Sequence, residues 1–256
     1  MSLYRYLLCA VFAAGFLLPA SRPASALLVQ PVLINLSTTG ANSTAGITIG
    51  NDRNRPNTVE VSVQSLAIPE NGPPVLSPND GDEFLIFPPT ATIAPGGMQV
   101  VRVRWVGDAA LKQAKTYMFT VRELPVDRPA GSGVQLVYSI QEIVTVSSPG
   151  LKAAVSIAQI RRSTRTVPVD QGKSTKTENG IEVTFKNAGN DVALLSQSHI
   201  SFSDGSWSAS LDPGQVNQAI GIGLVPPASS RVLFFPMDGV PLSGDITASV
   251  NPGDSF

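Results

Sequence analysis

The sequence predicts an all-β protein: two Ig-like β-sandwich domains in tandem, following a cleaved signal peptide. Three observations carry this. Apolar residues recur with a period of two along most of the chain, and clusters of Asn, Asp, Gly and Pro punctuate them at short intervals. The chain also opens on a cationic and then apolar segment that ends in a small-x-small site.

The opening segment decides which residues count. Arg5 supplies the positive start, residues 7–18 are apolar, and Ala24-Ser25-Ala26 fits signal peptidase. That apolar run is shorter than the about 20 residues a helix needs to span a bilayer, so residues 1–26 read as a removed signal rather than a retained anchor. Cys9 is no lipid-attachment site, because the apolar run continues past it. Removing residues 1–26 takes two arginines and no acid, so the formal net charge falls from −1 to −3. The single cysteine leaves with the signal. A secreted chain without disulfides is held by ordinary hydrophobic cores, and the remaining length fits two domains of about 100–130 residues. Near-neutral charge argues against nucleic acid as partner. No later run approaches the length of a membrane span, so no membrane insertion is expected after signal cleavage.

Strands follow in order. Gly46-Ile47-Thr48-Ile49-Gly50, Val59-Glu60-Val61-Ser62-Val63, Val101-Arg102-Val103-Arg104-Trp105 and Tyr117-Met118-Phe119-Thr120-Val121 alternate between two faces. Ile181-Glu182-Val183-Thr184-Phe185 and Val232-Leu233-Phe234-Phe235 continue the pattern. Asn51-Asp52, Asn71-Gly72-Pro73-Pro74, Pro95-Gly96-Gly97, Asn187-Ala188-Gly189, Asp204-Gly205 and Asp212-Pro213-Gly214 mark turns between them. Residues 108–115 read as a short helical turn, and the polar stretch 163–179 as a loop or ragged edge. Ser147-Ser148-Pro149-Gly150 ends a long strand and marks a boundary, giving a first domain at 27–148 and a second at 151–256. Many short strands at this spacing point to sandwiches.

Residues that would carry chemistry are sparse. His199 is the only histidine and no Gly-x-Ser-x-Gly elbow accompanies it, so no nucleophile–base pair is visible and the chain is not expected to be an enzyme. One histidine and no mature cysteine exclude a Cys/His metal cluster, and the acidic stretch at 79–83 lacks the spacing of a calcium loop. No metal or other cofactor is expected. Arg161-Arg162-Ser163-Thr164-Arg165 has no interleaved aromatics and reads as a solvated face. Trp105 and Trp207 read as core, and Arg102, Arg104 and Arg122 as the solvent face of a sheet.

Three ordered stretches of the first domain resemble a known family. They are Val59-Glu60-Val61-Ser62-Val63 after Ile49-Gly50-Asn51-Asp52; Pro88-Pro89 followed by Ile93-Ala94-Pro95-Gly96-Gly97-Met98-Gln99-Val100-Val101-Arg102-Val103; and Tyr117-Met118-Phe119-Thr120-Val121-Arg122-Glu123-Leu124-Pro125. Phe185-Lys186-Asn187-Ala188-Gly189 and Leu224-Val225-Pro226-Pro227, running to Arg231-Val232-Leu233, add to this in the second domain. Together they resemble the PapD-like periplasmic chaperones of chaperone–usher pilus assembly, in a divergent form similar to those of spore-coat-U-like or archaic pili. The resemblance implies a periplasmic chaperone that caps a pilus subunit by donating a β-strand to its incomplete Ig fold. It further implies delivery of that subunit to an outer-membrane usher. A different class of reading, a surface-exposed Ig-like structural protein, adhesin or pilus component, would call for an incomplete fold or an N-terminal donor extension. Leu27-Leu28-Val29-Gln30-Pro31 is too short for such an extension.

The resemblance also points to site residues. The implied donor is the strand after Gly131-Ser132-Gly133, with Val134, Leu136, Tyr138 and Ile140 on one face. By spacing alone these four serve equally well as core of the first domain; the resemblance makes them the donor. Family members grip the subunit's C-terminal carboxylate with an arginine of the first strand and a lysine near the end of the donor strand. Here the first strand, Gln30-Pro31-Val32-Leu33-Ile34-Asn35-Leu36, has no cation, and the donor-strand position falls near Gln141. Asn35 and Gln141 are the remaining candidate anchors, as neutral donors weaker than charged ones. Glu142 beside Gln141 would repel a carboxylate and is expected to face solvent.

Overall fold

The computed structural model describes residues 27–78, 82–125 and 137–251. The signal segment and the donor positions Val134 and Leu136 lie outside them. Among the described residues, strands β1 to β10 form two sheets around one core. They are β1 (Leu27–Gln30), β2 (Leu33–Ser37), β3 (Thr44–Asn51), β4 (Asn57–Ala67), β5 (Val75–Pro78), β6 (Phe84–Phe87), β7 (Thr90–Ile93), β8 (Met98–Trp105), β9 (Lys115–Glu123) and β10 (Ser139–Ser147). One sheet runs β1-β3-β8-β6; the other runs β2-β10-β9-β4-β5, with β7 also on β4. The first strand segment is shared between the sheets: β1 pairs antiparallel with β3, and after Pro31 and Val32 the chain crosses to pair β2 parallel with β10.

Period two explains this core. On β8, Val101, Val103 and Trp105 point inward while Met98, Val100, Arg102 and Arg104 are exposed. Phe84 sits at the centre, its ring meeting Trp105, Tyr117 and Phe119 edge-on at 5.1, 4.8 and 5.1 Å.

The remaining strands enclose a second core. They are β11 (Val155–Val169), β12 (Ser174–Asn187), β13 (Ala193–Leu194), β14 (His199–Ser203), β15 (Ser208–Leu211), β16 (Leu224–Val225), β17 (Ser229–Pro236) and β18 (Thr247–Asn251), with one helix, α1 (Pro213–Ile220). They pair as β11-β12-β17, β13-β16 and β15-β14-β18 around Ile181, Phe185, Leu195, Phe202, Val216 and Phe235. The two cores meet through a smaller apolar cluster of Leu66, Ile68, Met118 and Leu224, against which Ile143, Val192 and Leu194 pack. Two backbone bonds cross the same joint: Ala114 N–H to Asn190 O and Val232 N–H to Glu70 O, each 2.9 Å.

A buried asparagine fixes the turn that frames this joint. The Asn187 side chain donates to the carbonyls of Asp191, Val225 and Pro226 and accepts from the N–H groups of Ala154 and Gly189. A side chain on Gly189 would lie 2.2 Å from Lys152 O, so the segment linking the cores can lie flat on this turn only because the residue is glycine.

Three local expectations change. Residues 108–115 form no helix; the loop is instead closed by the Trp105 indole N–H to Asp108 O (3.0 Å) and by Asp108 Oδ1 accepting from Ala110 N–H (2.8 Å). The residues read as an Asp-Pro-Gly turn open α1. Asp212 caps Gln215 N–H at 2.8 Å, the Gln215 side chain returns a bond to Asp212 N–H at 3.0 Å, and Pro213 fills the first turn. The stretch 163–179 is the far half of the β11–β12 hairpin, turning at Asp170–Gly172. Both of its faces are largely exposed, so it shows no apolar alternation.

Candidate functional site: the open edge of a strand and the cleft beside it

Strand β10 is bonded to β9 along nearly its whole length, from Ser139 opposite Arg122 to Val146 opposite Lys115. On its other side, β2 covers only Ile143 to Ser147, with one further bond from Ile143 N–H to Val32 O at 3.0 Å. Residues 139–142 therefore have no strand on that side among the described residues. Their outward backbone groups are the kind of template that another chain can pair with. Val137 and Tyr138, just ahead of the edge, are 46% and 41% exposed.

The candidate donor residues divide. Tyr138 is exposed, with the Arg53 guanidinium 4.9 Å from its ring centroid. Ile140 is half-buried against the first core, on the same side as Glu142, Val144 and Val146.

The expectation for Glu142 is overturned: it is fully buried, not solvent-facing. Its position has the inward parity of Val144 and Val146, and a period of two leaves it no choice. Neither carboxyl oxygen has a hydrogen-bond partner among the described residues. Burial pushes its pKa up to about 7, because a carboxylate there loses its hydration without gaining a partner.

A second inward-facing acid, Glu123, ends β9 and is also buried. It is paired with Arg53 at 2.9 Å and bonded by the Asn57 side chain at 2.8 Å. The sequence held a signal for both acids: each falls on the inward parity of an otherwise apolar alternating strand.

Beside β10 lies a cleft of about 500 Å³ between the two cores. Asn35, Ser37, Thr145 and Ser147 of the first core and Asp191 and Gln197 of the second line it, and among the described residues Asp191 is the one ionisable group in its lining. Asn35 Oδ1 accepts from the Thr145 hydroxyl at 2.7 Å, consistent with their pairing in register. Gln141 is exposed but is not part of this lining. It stands four residues along β10 from Thr145, roughly 13 Å at strand rise. The two candidate anchors are thus not brought together.

Other residues fall outside any site. His199 is exposed on β14 opposite Asn251. Arg161 pairs with Glu182 and Arg165 with Glu178, and Arg162 binds the carbonyls of Pro241, Ser243 and Gly244. Trp105 is core and Trp207 packs on the second core. Arg102, Arg104 and Arg122 are exposed on their sheet faces. Among the described residues no cluster of His, Cys, Asp or Glu suits a metal ion, and no helix is long and apolar enough to cross a membrane.

Comparison with known proteins agrees with this architecture. The fold is similar to that of the YadV chaperone, with 13% identity, a TM-score of 0.50, and coverage of 88% of this chain and 90% of that one. Also similar are the Salmonella enterica SafA pilin–SafB chaperone complex (15% identity, TM-score 0.48, coverage 84% and 86%) and the Acinetobacter baumannii CsuC–CsuE chaperone–tip adhesion subunit complex (13%, 0.47, 84% and 91%). No curated protein matches the sequence. Residues 28–146 match the family model described as pili and flagellar-assembly chaperone, PapD N-terminal domain. Residues 28–146 thus belong to the PapD N-terminal domain family of pili and flagellar-assembly chaperones.

Proposed function

We propose that the chain is a periplasmic chaperone that caps pilus subunits by lending them a strand, and that it passes each subunit to an outer-membrane usher. The observation that carries this reading is the open edge of β10 at residues 139–142, with Val137 and Tyr138 exposed at its start. A subunit lacking one strand offers a complementary edge and an apolar groove. Adding a strand supplies backbone bonds, and alternate side chains fill the groove. In this reading Val134, Leu136 and Tyr138 enter the groove, and Ile140 marks where the donor returns to its own core. Each large apolar side chain so buried contributes roughly 1.5–3 kcal/mol before ordering costs.

The chain acts as two domains, 27–148 and 151–256, with the cleft between them. Its lining offers neutral hydroxyls and amides and one acid, so a subunit's end is held there by neutral hydrogen bonds rather than by charge. No reaction is turned over and no cofactor is needed; binding is the whole activity.

The test is purification of the tagged mature chain from its native periplasm, with identification of what co-elutes. A small secreted β subunit at equal stoichiometry, lost in the Leu136→Asp/Tyr138→Asp variant, supports strand donation. A partner-free monomer, from cells producing pili, points instead to a structural surface protein.

A further inference from the structure

Glu123 does more than end a strand. Its carboxylate takes the two terminal guanidinium nitrogens of Arg53, at 2.9 and 3.2 Å, the Asn57 side-chain amide at 2.8 Å, and the backbone N–H of Tyr138 at 3.3 Å. Glu123 N–H in turn donates to Tyr138 O at 2.9 Å, and the Arg53 guanidinium stacks on the Tyr138 ring. Arg53 is itself anchored: its N–H donates to Asn51 Oδ1 at 3.2 Å, and the buried Asn51 amide binds the carbonyls of Arg55, Ile93 and Ala94. The turn after β3, the end of β9 and the residue before β10 are tied at one point.

Two features set this knot apart from a surface ion pair. The Arg53 and Glu123 side chains are only 10% and 5% exposed, and a two-pronged guanidinium–carboxylate contact fixes orientation as well as distance. A buried ion pair is a weak contributor to stability compared with apolar packing, so what this one supplies is position. The residue it positions, Tyr138, stands directly ahead of the open edge. A donor whose start is already ordered receives a partner strand without bearing that ordering cost at the moment of binding.

The geometry points to Arg53 and Glu123 as positioning residues for subunit capture: they hold Tyr138 and the start of the open edge in the conformation that receives the partner strand. This rests on the strand-donation reading above.

The test uses the full mature chain and, as probe, the β subunit that co-purifies with it. The Arg53→Met/Glu123→Gln double variant removes both charges together, so neither is stranded in the interior. Arg53→Lys keeps the charge but loses the two-pronged contact, and serves as the comparison if the double variant does not fold. Ile47→Val, in the same core but remote from the knot, controls for simple loss of stability. Amide exchange at Tyr138 and Ile140 of the free chain, whose N–H groups face Glu123 and β9, should rise about tenfold or more in the double variant, while Phe119 and Val101 keep wild-type protection. Association with the subunit should slow about tenfold, equivalent to about 1.4 kcal/mol. Arg53→Lys should fall between, and Ile47→Val should match wild type. Unchanged exchange at Tyr138 overturns the knot. Faster exchange with an unchanged association rate, or equal slowing in Ile47→Val, overturns the positioning role. If wild type takes up no subunit, the donation reading fails and the positioning role with it, while the exchange data alone report whether the knot exists.

Discussion

Replacing Glu142 with leucine should stabilise the protein, and increasingly so as pH rises through the range in which a carboxylate ionises. The side chain is fully buried with no partner for either oxygen, and its pKa stands at about 7 against an ordinary 4.5. Below about pH 4.5 the group is neutral in both folded and unfolded chains and does not make stability vary with pH. As pH rises from 4.5 toward 7, the unfolded chain releases the proton while the folded chain keeps it, so stability falls. Above about 7 the folded protein carries the whole penalty. The rise from 4.5 to about 7, at about 1.36 kcal/mol per tenfold change in proton affinity, amounts to about 3 kcal/mol. The assay is urea unfolding of Trp207→Phe and Trp207→Phe/Glu142→Leu chains, followed by the fluorescence of the remaining Trp105, at a series of pH values. The stability difference should widen by about 3 kcal/mol between acid and mildly alkaline solution, mostly within the 4.5–7 window. Other titrating groups cancel in the difference between the two proteins. A difference that stays flat across pH would refute the reasoning, since it would mean that Glu142 ionises freely or finds a partner.

Further predictions concern the site and the fold. Leu136→Asp/Tyr138→Asp should abolish subunit binding while leaving unfolding of the second core unchanged, as judged by pull-down and by calorimetry. Subunit dissociation should respond weakly to salt, because no cation among the described residues lines the cleft; a rate that climbs steeply as the Debye length shrinks from about 10 Å to about 3 Å would point to a charged anchor. Asp212→Ala removes the side-chain cap on Gln215 N–H at the start of α1 and should cost about 1 kcal/mol in denaturant unfolding.

Much of the fold was legible because a half-buried strand declares itself by alternation. β3, β4, β8 and β9 carry apolar residues at every second position over most of their length, as does Ile181–Phe185 of β12. The far half of the β11–β12 hairpin was not legible, because a ribbon with solvent on both faces needs no alternation. Helix α1 was hidden by its own start: Asp212-Pro213-Gly214 is turn chemistry, and only the reciprocal bond from Gln215 turns it into a cap. The site was half legible. The motif containing Glu123 stood out, but that Arg53 reaches it depends on a turn 70 residues away, which no local pattern encodes. Glu142 read as solvent-facing from its charge, whereas its parity on the strand placed it in the core; backbone register outweighed side-chain preference.

The most direct test of strand donation is amide exchange at residues 139–142, free and with the co-purified subunit bound. Donation predicts that the Ser139 and Gln141 amides, which face the open side of β10 and exchange readily in the free chain, become strongly protected in the complex. Unchanged exchange along this edge, with new protection confined to the second core or to the outer faces of the sheets, would contradict it.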